Sequence, residues 1–176
     1  MSQLPDRESL FRSWDEEHRG ILQKVTRSFA RSAAEAKELT QELRLQLWNS
    51  TSSFKGTAKS STWVYRVCLN TAITWHRAIA RQEQKIDSSV DLKGILADGA
   101  SPAERAADRE LLERLYSSIH AMREIDRALI LLLLDGLAYR EIAEITGMSE
   151  NQVGVGLTRA RKRLAELMKG VTHELE

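Results

Sequence analysis

Hydrophobic side chains recur every three or four residues along most of this 176-residue chain, which is the period of an α-helix. The alternating β-branched pattern of strands is almost absent. Only two prolines interrupt the sequence. The pattern therefore predicts an all-α fold, with helices at about residues 6–30, 32–48, 61–85, 102–121, 124–135, 138–146 and 149–169.

Each of the first three predicted helices carries one apolar stripe that we expect to be buried. The first stripe is Phe11, Trp14, His18, Leu22, Val25 and Phe29, the second is Leu39, Leu43 and Leu47, and the third is Val64, Val67, Cys68, Thr71 and Trp75. Ser32 and Glu35 have the spacing of a capping box at the start of the second helix. The residues between the second and third helices are rich in Ser, Thr and Gly, which predicts a loop.

Residues 87–100 lack helical periodicity, carry Gly, Ser and Asp, and are mildly acidic. This composition is typical of a linker. After it, Ser101, Pro102 and Glu104 form a helix start, with a cap, a proline at the first helical position and an acid three residues after the cap. We therefore predict two small helical domains, residues 1–86 and 102–176, joined by a flexible acidic linker at 87–101.

The segment from Tyr139 to Val153 has the spacing of a helix-turn-helix. Ala143 is small where two helices must cross, and Gly147 follows where the chain must leave the first helix with positive φ. Ser149 and Gln152 form a capping box for the second helix. The buried side of that helix is predicted to be Val153, Leu157, Ala160, Leu164 and Met168.

The opposite side of that last helix is polar and cationic. A helix with such a side fits the major groove of DNA, where Gln and Arg contact base edges and Lys and Arg contact phosphates. The residues placed there are Asn151, Gln152, Val155, Gly156, Arg159 and Arg163. The alternative is a surface helix of a bundle with a solvated charge run.

A second candidate surface combines the loop at Phe54, Lys55 and Gly56 with one side of the third helix. That side carries cations, an amide and aromatic rings, which suit single-stranded or melted nucleic acid. Its members are Lys59, Trp63, Arg66, Asn70 and Arg77. The alternative is that Trp63 belongs to the core and the cations are simply solvated.

The second helix has a different outer side, which includes three carboxylates, an amide and apolar groups. Such a surface suits a protein partner with a basic face rather than DNA, although a solvated helix face remains the alternative. Its members are Glu35, Glu38, Gln41, Glu42, Leu45 and Trp48.

Composition restricts the class of protein further. Apolar residues make up 42% and charged residues 29% of the chain, as in soluble globular proteins. Residues 1–86 have a net charge of +5 and residues 103–176 one of −2, so the domain with the helix-turn-helix is a weak stand-alone DNA binder. The longest apolar run, 128–134, is too short to span a membrane. With no signal peptide and one cysteine, we expect a cytoplasmic protein.

No pattern of catalytic or cofactor-binding residues is apparent. The sequence has no glycine-rich phosphate loop, metal-ligand spacing or plausible catalytic triad, and its four histidines are scattered. Cys68 lies on an apolar side, so we expect an inert buried thiol. We therefore expect neither an enzyme nor a bound metal or cofactor.

Two blocks of sequence resemble the extracytoplasmic-function sigma factors of bacterial RNA polymerase. Glu-Ala-Lys-Glu-Leu-Thr-Gln-Glu-Leu-Arg-Leu-Gln-Leu-Trp at 35–48, Phe-Lys-Gly at 54–56 and Thr-Trp-Val-Tyr-Arg-Val-Cys-Leu-Asn at 62–70 are similar to their second region. Leu-Ala-Tyr-Arg-Glu-Ile-Ala-Glu-Ile at 137–145 and Arg-Ala-Arg-Lys-Arg-Leu at 159–164 are similar to their fourth region. The order of the blocks and the linker between them also fit this two-domain family.

The resemblance implies binding to core RNA polymerase, at its clamp and flap, and to promoter DNA, with an anti-sigma factor or other regulator as a further partner. It implies clamp docking through Glu35, Glu38, Gln41, Glu42, Leu45 and Trp48. It implies capture of melted minus-ten DNA by Phe54, Lys55, Lys59, Ser60, Trp63, Arg66, Asn70 and Arg77. It implies minus-thirty-five binding by Arg140, Asn151, Gln152, Val155, Gly156, Arg159, Lys162 and Arg163.

The sequence departs from the family pattern in two places. Lys37 dilutes the usual acidic cluster of the second helix. Gly154 and Gly156 stand where many relatives carry polar or cationic side chains, and each costs about 1 kcal/mol of helix stability relative to alanine. We expect these glycines to remove phosphate or base contacts and to weaken minus-thirty-five binding, or else to bring the backbone closer to DNA.

The main rival function is a free-standing helix-turn-helix regulator that binds operator DNA as a dimer. It requires a dimerisation face and a more cationic DNA-binding domain, and neither is evident. It also leaves the loop and the third helix without a role.

Overall fold

The computed structural model describes residues 6–83 and 102–172, and these form eight α-helices with no β-strand among them. The all-helical prediction is confirmed, whereas the predicted linker at 87–101 lies outside the described residues. The helices are α1 Arg7–Glu17, α2 Arg19–Phe29, α3 Ala33–Ser50, α4 Ser60–Glu83, α5 Pro102–His120, α6 Glu124–Leu134, α7 Tyr139–Thr146 and α8 Glu150–Thr172.

The prediction of one helix over residues 6–30 is wrong, because the chain breaks at His18 between α1 and α2. His18 has φ −110° and ψ 18°, outside the helical region. Gly20 follows, and glycine and histidine both favour the helix less than alanine does. The His18 ring instead forms a hydrogen bond, 3.0 Å between Nε2 and Ser60 Oγ at the start of α4.

The N-terminal core follows the predicted stripes. Leu39, Leu43 and Leu47 of α3 are fully buried, and α3 packs against both α2 and α4. The Glu35 N–H donates to Ser32 Oγ over 3.2 Å as predicted. The Glu35 carboxylate, however, accepts from the backbone N–H of Arg31 at 2.8 Å, so this half of the capping box is shifted by one residue.

The helix-turn-helix of the C-terminal domain forms as predicted. Gly147 has φ +74°, and its N–H closes α7 on the carbonyl of Ala143 at 2.9 Å. The Ser149 N–H donates to Gln152 Oε1 over 2.8 Å, and the Gln152 N–H returns to Ser149 Oγ over 3.2 Å. This reciprocal box fixes the start of α8.

The two domains pack directly against each other. Helices α5 and α6 lie on α2, and α7 lies on α4. One cluster of buried apolar side chains runs from Leu10 in α1 to Leu157 in α8. The sequence predicted both domains but not this packing, which places part of one candidate surface beneath the other domain.

Candidate nucleic-acid interface

The outer face of α8 is open to solvent. Asn151, Gln152 and Lys162 are exposed, and Val155 is 62% exposed. Thr158 is exposed as well and lies between Val155 and Lys162 on the same face. Sequence reasoning passed over Thr158, although its spacing of three from Val155 indicated it. Helix α8 therefore presents an amide, apolar and cationic strip that suits a major groove.

Gly156 does not belong to this strip, and its prediction as a DNA-binding residue is wrong. The position is buried, and a Cβ added there would lie 2.7 Å from Leu129 Cδ1 of α6. The close crossing of α8 and α6 is the reason for the glycine, so it removes no contact with DNA. Its spacing of three from Val153 and four from Ala160, both buried, was the available signal.

Gly154 has a different environment. It is half-buried, and a Cβ would meet Tyr139 Cε2 of α7 at 3.6 Å, an ordinary van der Waals contact. A small side chain therefore fits at Gly154 and not at Gly156. The two glycines, which look equivalent in the sequence, have different physical roles.

Arg159 is held by an acid that the sequence did not single out. Asp126 of α6 is only 4% exposed, and its carboxylate accepts from Arg159 Nη2 and from Arg123 Nε, each over 2.9 Å. Asp126 lies in the first turn of α6, beside Glu124, and its position in the sequence gives no periodic signal of a partner in α8. The ion pair fixes the direction in which the Arg159 guanidinium leaves α8.

Two further cations of the predicted minus-thirty-five set make only weak contacts. Arg140 lies 3.7 Å from Glu144, and Arg163 lies 3.7 Å from Glu166, with all four side chains about half exposed or more. Exposed pairs of this kind contribute little to stability. Both guanidinium groups are therefore accessible to a phosphate.

The aromatic residues of the N-terminal surface form a cluster. The Phe54 ring packs edge-on against Trp14 at 5.1 Å and against Trp63 at 5.4 Å between centroids. Trp63 is half-buried, and its Nε1 donates to Ser50 Oγ over 3.1 Å. Trp63 is thus partly a core residue, as the alternative interpretation holds. Its packing against Phe54 and its hydrogen bond to Ser50 fix the orientation of the part of the ring that stays exposed.

Some polar residues of this surface are exposed, and others are already hydrogen-bonded within the domain. Lys55 and Asn70 are exposed. Ser60 is engaged by His18, and burial lowers the pKa of that imidazole, which favours the neutral ring. Gly56, with φ +71°, lies in the loop between Lys55 and Ser60 and lets the chain turn there.

Three predicted cations face the C-terminal domain, namely Lys59 just before α4 and Arg66 and Arg77 on α4. Lys59 Nζ lies 3.4 Å from Glu141 Oε1 of α7. Arg66 donates to the backbone carbonyl of Glu144, in the last turn of α7. Arg77 Nε lies 3.9 Å from Glu124 Oε1 of α6.

The predicted partner face of α3 is divided in the same way. Glu38 and Gln41 are exposed, and Leu45 is 51% exposed. The other three members are half-buried, since Glu35 binds Arg31 and Trp48 packs on Phe11 at 5.6 Å. Glu42 accepts from Gln46 over 2.9 Å.

The described residues hold no group of three or more His, Cys, Asp or Glu side chains suited to a metal ion. Burial raises the pKa of the Cys68 thiol to about 12, so the thiol stays protonated and unreactive at neutral pH.

Family models match both domains. The model for sigma-70 region 2 matches residues 15–82, which contain the aromatic cluster and the cations of α4. The model for sigma-70 region 4 matches residues 112–164, which contain the helix-turn-helix. The chain belongs to the extracytoplasmic-function (ECF) sigma factors.

Curated relatives are named as sigma factors of RNA polymerase. The ECF RNA polymerase sigma-E factor of Haemophilus influenzae is 29% identical over 134 residues, covering 72% of this chain and 71% of the relative. The RNA polymerase sigma factor YlaC of Bacillus subtilis is 29% identical over 143 residues, covering 80% of each chain.

Solved structures share the fold. CnrH in complex with the cytosolic domain of CnrY has a TM-score of 0.64 and 20% identity, covering 91% of this chain and 88% of the other. The sigma factor RpoE of Bartonella quintana, in complex with the anti-sigma factor NepR, has a TM-score of 0.68 and 20% identity, covering 90% and 98%.

As an ECF sigma factor, the chain is an alternative sigma subunit that binds core RNA polymerase and directs transcription initiation at promoters. The free-standing regulator is excluded, because the region 2 domain accompanies the helix-turn-helix. In residues 6–83 and 102–172, no helix combines the length and the apolarity needed to cross a membrane.

Proposed function

We propose that the two domains of this sigma factor divide promoter recognition between two separate surfaces. The α4 surface captures melted minus-ten DNA, and the outer face of α8 reads the minus-thirty-five element. The observation that carries the proposal is that each domain presents cations with amide or aromatic groups on one face. The chain is in this view a recognition subunit, and the polymerase supplies catalysis and most of the DNA affinity.

The minus-ten contact rests on the edge of the aromatic cluster. Stacking on aromatic rings is sequence-tolerant and contributes about 1–3 kcal/mol per base. Phe54 and Trp63 are held by Trp14 and Ser50, so their exposed edges form a rigid wall. Lys55, Lys59, Ser60, Arg66, Asn70 and Arg77 surround this wall with groups that bind phosphates and base edges.

The minus-thirty-five contact uses the exposed strip of α8. Asn151, Gln152 and Val155 face base edges, and Arg159 is aimed by Asp126. Arg140, Lys162 and Arg163 contact phosphates. Gly156 is omitted from this set, since its position faces Leu129.

The polymerase contact uses the exposed part of α3, at Glu38, Gln41 and Leu45. A cavity of about 410 Å³ lies beside it, between α3 and α4. Glu42 and Gln46 line it from α3, while Asn70 and Trp75 line it from α4. A clamp side chain seated there would connect polymerase binding to the DNA-contacting residue Asn70.

Regulation by a protein partner is part of the proposal. The Bartonella quintana structure holds a sigma factor with an anti-sigma factor, and we infer a partner of the same class for this chain. The site of action of this chain is that of the polymerase it serves, which favours the cytoplasm.

The deciding experiment is run-off transcription with the protein, core polymerase and a library of promoter fragments. We expect promoter-specific transcripts, which Asn70→Ala reduces through minus-ten recognition and Asn151→Ala relaxes at minus-thirty-five. Arg12→Ala on α1 is the matched control, because Arg12 contacts only Glu8 four residues earlier. An absence of promoter-specific transcripts with the wild-type protein would overturn the proposal.

A further inference from the structure

The packing of the two domains engages part of the surface proposed for minus-ten DNA. Helix α7 lies along α4 and engages two of its cations. Glu141 lies 3.4 Å from Lys59, and the carbonyl of Glu144 accepts from Arg66. Both partners are negative groups, since the C-terminal end of a helix carries a partial negative charge.

These groups are chemically similar to phosphate oxygens. A DNA backbone passing over α4 would offer anionic acceptors to Lys59 and Arg66. Helix α7 offers them a carboxylate and a helix-end carbonyl instead. The same side chains cannot serve α7 and DNA together.

Promoter geometry also disfavours the closed arrangement. The two promoter elements are separated by roughly 25 base pairs, or about 85 Å of duplex. A compact chain of this length has a radius of gyration of about 16 Å and is roughly 40 Å across. The closed protein is therefore too small to reach both elements, and the domains must separate.

We infer that the closed arrangement is a self-inhibited state in which α7 occupies the place of the DNA backbone on α4. This inference rests on the proposed function of the α4 surface. It assigns a second role to the first helix of the helix-turn-helix, as an intramolecular substitute for DNA. Release of α7 exposes Lys59 and Arg66 and allows the two domains to reach separate promoter elements.

Asp135 is the strongest link of the closed state. It follows α6, and its carboxylate accepts from Lys24 of α2 and from the Tyr65 hydroxyl of α4. This one side chain therefore ties two helices of the N-terminal domain, α2 and α4, to the second domain. The Lys59–Glu141 pair is a weaker link, because the Lys59 side chain is 77% exposed and exposed pairs contribute little.

The same interface contains polar atoms without partners. Among the described residues, the buried side-chain nitrogens that lack a hydrogen bond are Arg27 Nη2, His76 Nδ1, His120 Nδ1 and Arg127 Nη1. Each belongs to a residue that contacts the other domain. His76 Nδ1 lies 3.5 Å from Glu124, an ion-pair distance for the protonated ring. Buried polar atoms without hydrogen-bond partners cost free energy that hydration on opening recovers.

The remaining contacts are consistent with an interface that opens. His120 Nε2 lies 3.0 Å from the carbonyl of Arg27, and the Arg27 guanidinium stacks over Tyr116 at 4.0 Å. Arg127 lies over the Phe29 ring at 5.6 Å. A polar, imperfectly satisfied contact of this kind is easier to separate than an apolar core.

The residues between the described parts of the two domains number 18, from 84 to 101. An extended segment of this length spans at most about 60 Å. The covalent connection thus permits a separation far larger than the closed protein allows.

The test uses the full chain with Asp135→Lys, which removes the link and repels Lys24. The readouts are the distance between the domains, by fluorescence energy transfer, and the affinity for a labelled mixed-sequence single-stranded 20-mer at low salt. We expect a longer distance and roughly tenfold tighter binding. The double variant Lys24→Asp/Asp135→Lys restores the pair with reversed charges, and it should return both values towards wild type.

Two controls separate opening from a change of charge. Glu16→Lys makes the same change of charge on an exposed position of α1, and it should leave the distance unchanged and bind the 20-mer less tightly than Asp135→Lys does. Adding Arg66→Ala to Asp135→Lys should remove the gain in binding, because the gain belongs to the α4 surface.

The inference is overturned if Asp135→Lys separates the domains without a gain in binding beyond that of Glu16→Lys. It is also overturned if the distance does not change, with Glu141→Gln as a second attempt that keeps the acceptor for the Ala138 N–H and removes the charge. These outcomes are distinct from failure of the proposed function, which appears as an absence of promoter-specific transcripts from wild-type protein.

Discussion

The proposed DNA-binding surfaces of the two domains differ in whether their side chains are engaged by the other domain. On α8, the residues proposed to read DNA are exposed, and Arg159 among them is held within its own domain by Asp126. On α4, the cations Lys59 and Arg66 are engaged by the other domain. The surface proposed for the minus-thirty-five element is therefore accessible in the closed protein, whereas the surface proposed for minus-ten DNA has two of its cations engaged by the other domain.

This difference suits an ordered assembly. A surface that binds melted DNA at random would be harmful outside the polymerase, because single strands are bound through stacking and charge with little sequence preference. The major-groove surface is selective even when exposed. Under the proposed function, engaging Lys59 and Arg66 in the closed state would restrict the use of the unselective surface to the transcription complex.

The largest effect is expected from disrupting the packing of the C-terminal domain where α6 and α8 cross. Gly156→Arg places a charged side chain against buried Leu129, so we expect the free energy of unfolding to fall by about 3 kcal/mol or more. Thermal denaturation measures this. Gly154→Ala is the matched control, and it should raise stability by up to about 1 kcal/mol through helix propensity. A stable Gly156→Arg protein with stronger minus-thirty-five binding would contradict the structure.

A smaller effect is expected at the support of Arg159. Asp126→Asn keeps the shape of the side chain but weakens two charge-assisted hydrogen bonds, so we expect a loss of about 1–3 kcal/mol in stability. Arg159 also loses its fixed direction, so affinity for minus-thirty-five duplexes should fall and discrimination between base substitutions should narrow. Glu166→Gln, which alters only the exposed pair with Arg163 at 3.7 Å, should change stability by less than about 0.5 kcal/mol. Unchanged discrimination in Asp126→Asn would show that Arg159 needs no support.

The packing of the two domains against each other should depend on pH through two histidines at their interface, His76 and His120. Burial lowers the pKa of His120 to about 4, with Arg127, His76 and Arg31 acting in the same direction and the Arg27 carbonyl opposing it. In the closed state the ring is therefore neutral. When the domains separate, the ring regains its ordinary pKa near 6.5.

His76 behaves in the same sense. Burial is the largest cause that lowers the pKa of His76, and the charges of Arg127 and Arg31 lower it further. Glu124 opposes this shift. The open state thus binds more protons, and stability of the closed state is lost as the pH falls below about 6.5 towards the lowered pKa values. Domain distances measured between pH 7.5 and 5.5 should lengthen on acidification. His120→Gln should reduce this dependence, and a distance independent of pH would refute the account of these histidines.

The smallest effect on DNA binding is expected from removing a single proposed phosphate contact on the exposed face of α8. Lys162→Gln should weaken binding to minus-thirty-five duplexes similarly for all sequences and reduce the slope of log affinity against log salt by about 1. Arg12→Gln on α1 should leave the slope unchanged. A sequence-dependent loss in Lys162→Gln would assign that lysine to base recognition instead.

The predictable parts of this molecule are those with a periodic or local signal. The stripe of Leu39, Leu43 and Leu47, the positive φ of Gly147 and the capping box of Ser149 all follow from residue spacing, and all are confirmed. The candidate surfaces could be assigned to helix faces for the same reason.

The parts that escaped prediction depend on long-range contacts. The break at His18 is accompanied by a hydrogen bond to Ser60, 42 residues later. Gly156 depends on a close approach by Leu129, and the masking of Lys59 and Arg66 depends on α7. Single polar pairs between distant residues leave no repeating pattern in a sequence, so the domain packing could be found only in the structure.

The most direct test of this two-surface account is the distance between the domains in the free protein and in complex with core polymerase. Spin labels at Glu16→Cys and Ala165→Cys, both exposed positions, would be placed in a Cys68→Ala background. We predict a single short distance in the free protein and an increase of more than about 30 Å in the complex, as promoter spacing requires. The same distance in both states would contradict the account.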